Sequence, residues 1–223
     1  MSYSRFAIYF VPPKGALAGF GARWLGWDLL AGATVAQPDV PGLAAITRRP
    51  RKYGFHGTLK APFRLADGRD PEGLRAAIGV MAARCAPTRC DGLDLSRIGR
   101  FLALTPVGET GGIERVAATC VRDLDGWRAP LDAAELARRR RARLSARQDA
   151  SLTRWGYPYV MEDFRFHMTL TGRLAVDEVE QWRDIAAAHL PDLPAPFVMD
   201  AIALVGERED GCFEVIQRYA LTG

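Results

Sequence analysis

Two six-residue stretches of this chain are near copies of each other, and a fold for the chain has to accommodate both. They read Phe55-His56-Gly57-Thr58-Leu59-Lys60 and Phe166-His167-Met168-Thr169-Leu170-Thr171, and each holds one of only three histidines. Side chains alternate across a strand, so residues i and i+2 share a face. His56, Thr58 and Lys60 are therefore expected on one side of the first strand, with Phe55, Gly57 and Leu59 behind them. In the second copy Arg165, His167, Thr169, Thr171 and Arg173 share a face, backed by Phe166, Met168 and Leu170. Each strand has an apolar side for a core and a polar side that sets a proton carrier beside a hydroxyl.

The surrounding pattern repeats as well. After the first copy, Asp70-Pro71 gives a cap residue followed by proline at the first helical position, with an apolar stripe of Leu74, Ile78, Met81, Ala82 and Cys85. Leu93–Ile98 and Phe101–Val107 then read as strands around Gly99-Arg100. After the second copy, Asp177 with Glu180 reads as a capping box over the stripe Val179, Trp182, Ile185, Ala186 and Leu190. Strands at Phe197–Val205 and Cys212–Leu221 follow, around Glu209-Asp210-Gly211. The two histidines lie 111 residues apart, position 56 to position 167, and shifting 197–221 back by that interval covers 86–110. The pattern is an internal duplication of helix, strand, turn, strand. It predicts a duplicated bilobal α+β fold over residues 1–223, with two antiparallel sheets flanking a central cleft and helices outside. The histidine strands, about 53–65 and 164–174, lie beside a pseudo-twofold axis and turn their polar faces into that cleft.

The remaining segments read more plainly. Phe6–Val11 is an apolar strand, Gly15–Leu30 a helix, and Ala31–Pro50 a Gly-, Pro- and Ala-rich loop ending in the cations Arg48, Arg49, Arg51 and Lys52. Ile113, Val116, Cys120, Val121 and Leu124 form the stripe of a further helix. Asp132 with Glu135 opens an Arg-rich helix to about Asp149, carrying Arg138-Arg139-Arg140-Arg141, Arg143 and Arg147. Arginines on consecutive positions point all round a helix, which favours a solvated element; an arm reaching over an anionic ligand is the alternative. His189, at the end of its helix, reads as a partner of the helix dipole.

Composition narrows the function classes. With 48% hydrophobic residues and 223 positions the chain can bury a substantial core, and the net charge of +4 (30 basic against 26 acidic residues) suits an anionic ligand without arguing for nucleic acid. Cys85, Cys90, Cys120 and Cys212 form no C-x-x-C pair and read as reduced thiols in or near a core. Phe6–Val11, broken by Pro12-Pro13, is too short for a signal-peptide core or a membrane span, so a cytoplasmic protein with no membrane partner is expected.

Two opposed imidazoles suit a reaction that removes one proton and supplies another, because each titrates near neutral pH. Phosphodiester cleavage fits: one histidine activates water or a hydroxyl, and the other protonates the leaving oxygen. Thr58 and Thr169 donate to the non-bridging oxygens, with Lys60 and Arg173 adding positive charge. A zinc shell is hard to assemble, since no H-x-x-x-H, cysteine pair or Asp/Glu cluster adjoins either histidine. No glycine-rich phosphate loop precedes a helix.

Paired H-x-T motifs in a duplicated α+β chain resemble the 2H phosphoesterase superfamily, which includes 2′-5′ RNA ligase-like proteins and cyclic phosphodiesterases. The stretches 53–65 and 155–172 look most like its DUF1045 branch of phosphonate-metabolism proteins. The resemblance implies cyclic phosphodiester chemistry without metal or other cofactor, His56 and His167 in the catalytic positions, and Thr58 and Thr169 in the phosphate-binding ones. Thr171 stands where the first half has Lys60, and Tyr159 joins the substrate-binding candidates. The implied substrate is a small sugar cyclic phosphate such as a phosphoribosyl cyclic phosphate. RNA ends and nucleoside 2′,3′-cyclic phosphates would use the same histidines. A non-catalytic RNA-binding module, built on the Arg138–Arg147 helix, is the rival from another class.

Overall fold

The two histidine stretches lead into strands that lie side by side at the middle of one antiparallel sheet. The computed structural model describes residues 2–223. The first half of the chain runs β1 (Phe6–Phe10), α1 (Ala16–Leu25), β2 (Trp27–Asp28), β3 (Ala33–Thr34), α2 (Leu43–Arg51) and β4 (Gly57–Phe63). It continues with α3 (Pro71–Ala82), β5 (Thr88–Cys90), β6 (Gly92–Ile98), β7 (Phe101–Val107) and α4 (Gly111–Asp123). Then come α5 (Ala133–Arg140), α6 (Ala146–Trp155), β8 (Met168–Thr169), α7 (Val179–His189), β9 (Phe197–Met199), β10 (Ala201–Glu207) and β11 (Phe213–Ala220). The protein is α+β. The main sheet has seven strands in the order β11-β10-β1-β4-β8-β7-β6.

The expected two sheets are the two halves of this one, joined through a single residue pair, Gly57 opposite Met168. A second contact between the repeats pairs β5 with β9, Thr88 opposite Met199. Both pairs join positions 111 apart, the same interval that separates the histidines, so both lie where a pseudo-twofold axis would pass. The order of strands also shows an exchange. β8 of the second repeat lies beside the hairpin β7-β6 of the first. The hairpin β10-β11 of the second repeat lies on the β4 side, with β1 inserted between.

Local chemistry accounts for most elements. Asp70 caps α3, its carboxylate accepting from the backbone N–H groups of Glu72 (2.9 Å) and Gly73 (3.0 Å), and Leu74, Ile78, Met81 and Ala82 face the core. β1 alternates Phe6, Ile8 and Phe10 into the larger apolar cluster with Ala7, Tyr9 and Val11 into a smaller one on the other face. Cys85, Cys90 and Cys120 are buried and Cys212 is half-buried, all as free thiols. Among the described residues no helix is long and apolar enough to cross a membrane.

Three sequence expectations need correction. Residues 43–51 form helix α2 where a loop was expected. Pro50 cannot donate to Ile46, and that carbonyl instead accepts the N–H of Gly172 at 2.6 Å, docking α2 on the second histidine segment. The arginine-rich helix is two helices, not one. Arg143 takes a left-handed φ of 51°, and Ser145 starts α6 with a capping box to Gln148. In α7, Asp177 does not cap: Glu178 holds the N-cap position without a side-chain cap, and its carboxylate accepts from the N–H of Ala175.

Candidate active site

Gly57 and Met168 are the middle residues of the two H-x-T triplets, and their pairing aligns the rest. Continuing the antiparallel register by one residue sets His56 opposite Thr169 and Thr58 opposite His167 on the same face. Directly opposed Cβ atoms lie about 5 Å apart and diagonal ones about 7–8 Å. The two imidazoles are thus diagonal to each other, with a hydroxyl beside each. A Cβ on Gly57 would come within 2.3 Å of the Phe166 ring, so glycine there lets that ring pack beneath the site.

Both rings are held the same way. His56 Nδ1 bonds the Gly54 carbonyl at 2.9 Å, and His167 Nδ1 bonds the Arg165 carbonyl at 2.8 Å. A carbonyl only accepts, so each Nδ1 carries a hydrogen and each Nε2 is the atom left for chemistry. His56 Nε2 lies 2.9 Å from Thr58 Oγ1, whose hydroxyl can donate to it. The rings differ in setting. His56 stacks on Tyr9 (centroids 3.6 Å, planes 15° apart), whereas His167 meets Phe101 at a tilt, 5.7 Å away. Burial pushes the His56 pKa down to about 4, and the nearby charge of His167 acts in the same direction. At neutral pH His56 is an uncharged imidazole.

The depressed pKa ties stability to pH. The unfolded chain takes up a proton at position 56 as pH falls through about 6.5, and the folded chain does so only near 4. Between those values the unfolded state binds more protons, so stability rises with pH and falls with acid, by up to about 3 kcal/mol at this site. Melting temperatures at pH 7, 5.5 and 4.5 should drop more steeply for the wild type than for His56→Gln. Glu207, Glu135, Asp149 and Asp163, each held below the usual carboxylate range mainly by hydrogen bonds from arginine, soften both proteins alike. Parallel curves for the two proteins would show that His56 titrates normally.

The side chains open into two neighbouring pockets that share Thr58, Ala61, Phe101, Tyr157 and Arg173. The first, about 530 Å³, holds His56, Thr169 and Thr171, with Arg5, Arg49, Tyr9, Tyr53 and Arg139 around it. The second, about 740 Å³, holds His167 and Tyr159. Of the residues expected from sequence, His56, His167, Thr58, Thr169, Arg173 and Tyr159 line this cleft. Thr171 also lines it but is buried, and its hydroxyl oxygen accepts the Leu102 N–H at 3.0 Å, extending the sheet.

Lys60 is the correction. β4 slips register against β1 between Thr58 and Lys60 and again before Phe63, so simple alternation fails there. Lys60 lines neither pocket. It is buried, its Nζ donates to the Val121 carbonyl at 3.1 Å, and it lies 3.9 Å from Asp125. Burial pulls its pKa down to about 8, opposed by Asp125.

Sequence reasoning missed Tyr9, Tyr53, Tyr157 and Arg5, and named Arg139 only within an arginine-rich helix whose alternative reading was an arm over an anionic ligand. Tyr9 sits on a strand whose sequence is wholly apolar or aromatic, so only its neighbour reveals it. Three of the six arginines in the arginine-rich segment pair with carboxylates: Arg140 with Asp149 (2.6 Å), Arg147 with Asp163 (2.7 Å) and Arg138 with Glu135 (3.8 Å). Among the described residues no group of three His, Cys, Asp or Glu side chains is placed to hold a metal.

Residues 58–214 match the family described as "Protein of unknown function (DUF1045)". The chain is 40% identical over 240 residues to the ribose 1,5-bisphosphate phosphokinase PhnN of Janthinobacterium sp. (strain Marseille), covering 100% of this chain and 52% of that protein. It is 35% identical over 217 residues to the protein of the same name in Laribacter hongkongensis (strain HLHK9), covering 93% and 49%. The chain spans about half the length of these curated relatives. Among solved structures, TT0787 of Thermus thermophilus aligns with a TM-score of 0.47 at 16% identity, covering 98% of both chains. E. coli LigT complexed with 3′-AMP aligns with a TM-score of 0.46 at 14% identity, covering 100% of both.

Proposed function

The chain belongs to the DUF1045 family, and from that premise we propose that it is a phosphodiesterase that opens small cyclic phosphates by two-histidine acid–base catalysis. The observation that carries this reading is the diagonal pair of imidazoles, each tied through Nδ1 to a backbone carbonyl so that Nε2 is left for proton transfer, across one twofold-like strand pair. Uncharged at neutral pH, His56 serves as the base. Water attacks phosphorus in line with the leaving ring oxygen, and His56 Nε2 takes the water proton. His167 gives a proton to the departing alkoxide, so a cyclic diester becomes a monoester with a free hydroxyl. Thr58, released from His56, and Thr169 donate to the non-bridging oxygens as charge builds there. Proton exchange with solvent resets the pair. The chemistry assigns no step to a metal.

The relatives' name refers to a phosphorylated ribose, which favours a ribose cyclic phosphate as the substrate class. Their kinase activity is a different matter. The 223 residues contain no G-x-x-x-x-G-K-[ST] phosphate loop, so that activity is assigned to the part of the relatives outside the match.

The test is a panel of ribose and nucleoside cyclic phosphates and short RNAs with cyclic ends, assayed for turnover and binding at two salt concentrations, with and without EDTA. Turnover of a small cyclic phosphate is expected to survive EDTA, with a bell-shaped pH profile from one neutral and one protonated imidazole. Metal-reversible loss on chelation would indicate a metallohydrolase. Tight RNA binding that weakens steeply with salt, without turnover, would indicate a binding module. The near balance of 30 basic and 26 acidic residues argues against that outcome.

A further inference from the structure

Arg139 differs from its neighbours in the arginine-rich segment. Its side chain leaves α5 toward the cleft, where it lines the pocket that holds His56 and lies over the Tyr157 ring, 5.5 Å from the ring centre. Its Nε is buried with no hydrogen-bond partner, and no carboxylate pairs with it among the described residues. Glu135, one turn earlier on α5, is engaged by Arg64 at 2.7 Å. Lowered by burial, the pKa of Arg139 still cannot bring a guanidinium to neutrality in a protein. A half-buried cation whose Nε is shut off from water without a partner is better satisfied when an anion completes it. The pocket of about 530 Å³ has room for a ligand far larger than one phosphate.

We propose that Arg139 determines specificity by binding a second anionic group, a phosphomonoester, that the substrate carries beside its cyclic phosphate. The proposal rests on the phosphodiesterase reading and deepens it by naming the substrate class: a cyclic phosphate that also bears a terminal phosphate. A planar guanidinium suits this task, since it meets phosphate oxygens with two parallel N–H donors.

The experiment compares a matched pair, adenosine 2′,3′-cyclic phosphate with and without a 5′-phosphate. It uses the wild type, Arg139→Gln, Arg139→Lys and, as control, Arg140→Gln. The wild type should favour the 5′-phosphorylated compound by about 10- to 100-fold in kcat/KM, mainly through KM. Arg139→Gln should abolish that preference, Arg139→Lys restore part of it, and Arg140→Gln leave it intact. A preference unchanged in Arg139→Gln overturns the proposal, and a lowered melting temperature alongside would assign Arg139 to packing. An equal fall of kcat on both compounds also overturns it, because Arg139 would then serve the reacting phosphate. If the wild type turns over neither compound, the diesterase reading fails separately. Calorimetric titration with ribose 5-phosphate then decides the role of Arg139: at least tenfold weaker binding by Arg139→Gln supports it, and equal binding overturns it.

Discussion

His56→Ala and His167→Ala should each lower kcat for a small cyclic phosphate by about 10²–10⁴-fold, the usual contribution of a positioned general acid or base. The loss is expected to fall on kcat more than KM, because Nε2 of each ring acts on protons in transit. The two variants should differ in pH response. Without His56 the step that removes the water proton is lost, so a stronger external base should recover some turnover at alkaline pH. Without His167 the leaving alkoxide goes unprotonated, and substrates with better leaving groups should suffer less. The double variant should be little worse than either single one, since groups that act as a unit do not contribute additively. Circular dichroism checks that the fold persists, which is expected because both rings border a cleft and neither is among the buried core residues. Near wild-type turnover in either single variant would end the paired-histidine mechanism.

Thr58→Val and Thr169→Val should cost about 10- to 1000-fold each, the range for loss of one donor to a developing oxyanion. Valine keeps the branched shape, so packing changes little and the effect reports the hydroxyl. The two substitutions are not equivalent. Thr58 Oγ1 also touches His56 Nε2 at 2.9 Å, so Thr58→Val removes a hydrogen bond that shields the base in the free protein. Its loss in kcat should come with a small shift in the acid limb of kcat/KM. Thr169, for which no such bond to His167 is formed, should lose rate without that shift. Stopped assays from about pH 3.5 to 9, a range that includes the acid limb set by His56, separate the two. A Thr169→Val protein as active as wild type would place the reacting phosphate elsewhere in the cleft.

What the sequence determined by itself is what local periodicity encodes. The alternation around Phe55–Leu59 and Phe166–Leu170, the 3.6-residue stripes of α3 and α4, and the glycine turns between β6 and β7 and between β10 and β11 each depend on neighbours within a dozen residues. They identified the α+β class, the duplication and, among the cleft-lining residues, His56, Thr58, His167, Thr169, Thr171 and Arg173. The tertiary structure decided whatever depends on which strand meets which. The hairpins exchange between repeats because pairing of distant strands is chosen by the whole core, and neither copy of the repeat records its partner. Lys60 left the histidine face because register slips in β4 break the period of two, and such slips depend on β1 across the sheet. Pro50 read as a loop residue, yet the carbonyl it leaves free accepts a bond from Gly172, on a segment far away in sequence. Arg139 was one of six arginines with nothing to set it apart in sequence. Only the folded chain pairs Arg138, Arg140 and Arg147 with carboxylates and leaves Arg139 half-buried at the cleft with its Nε unpartnered, because charge pairing follows distances in space that residue order does not contain.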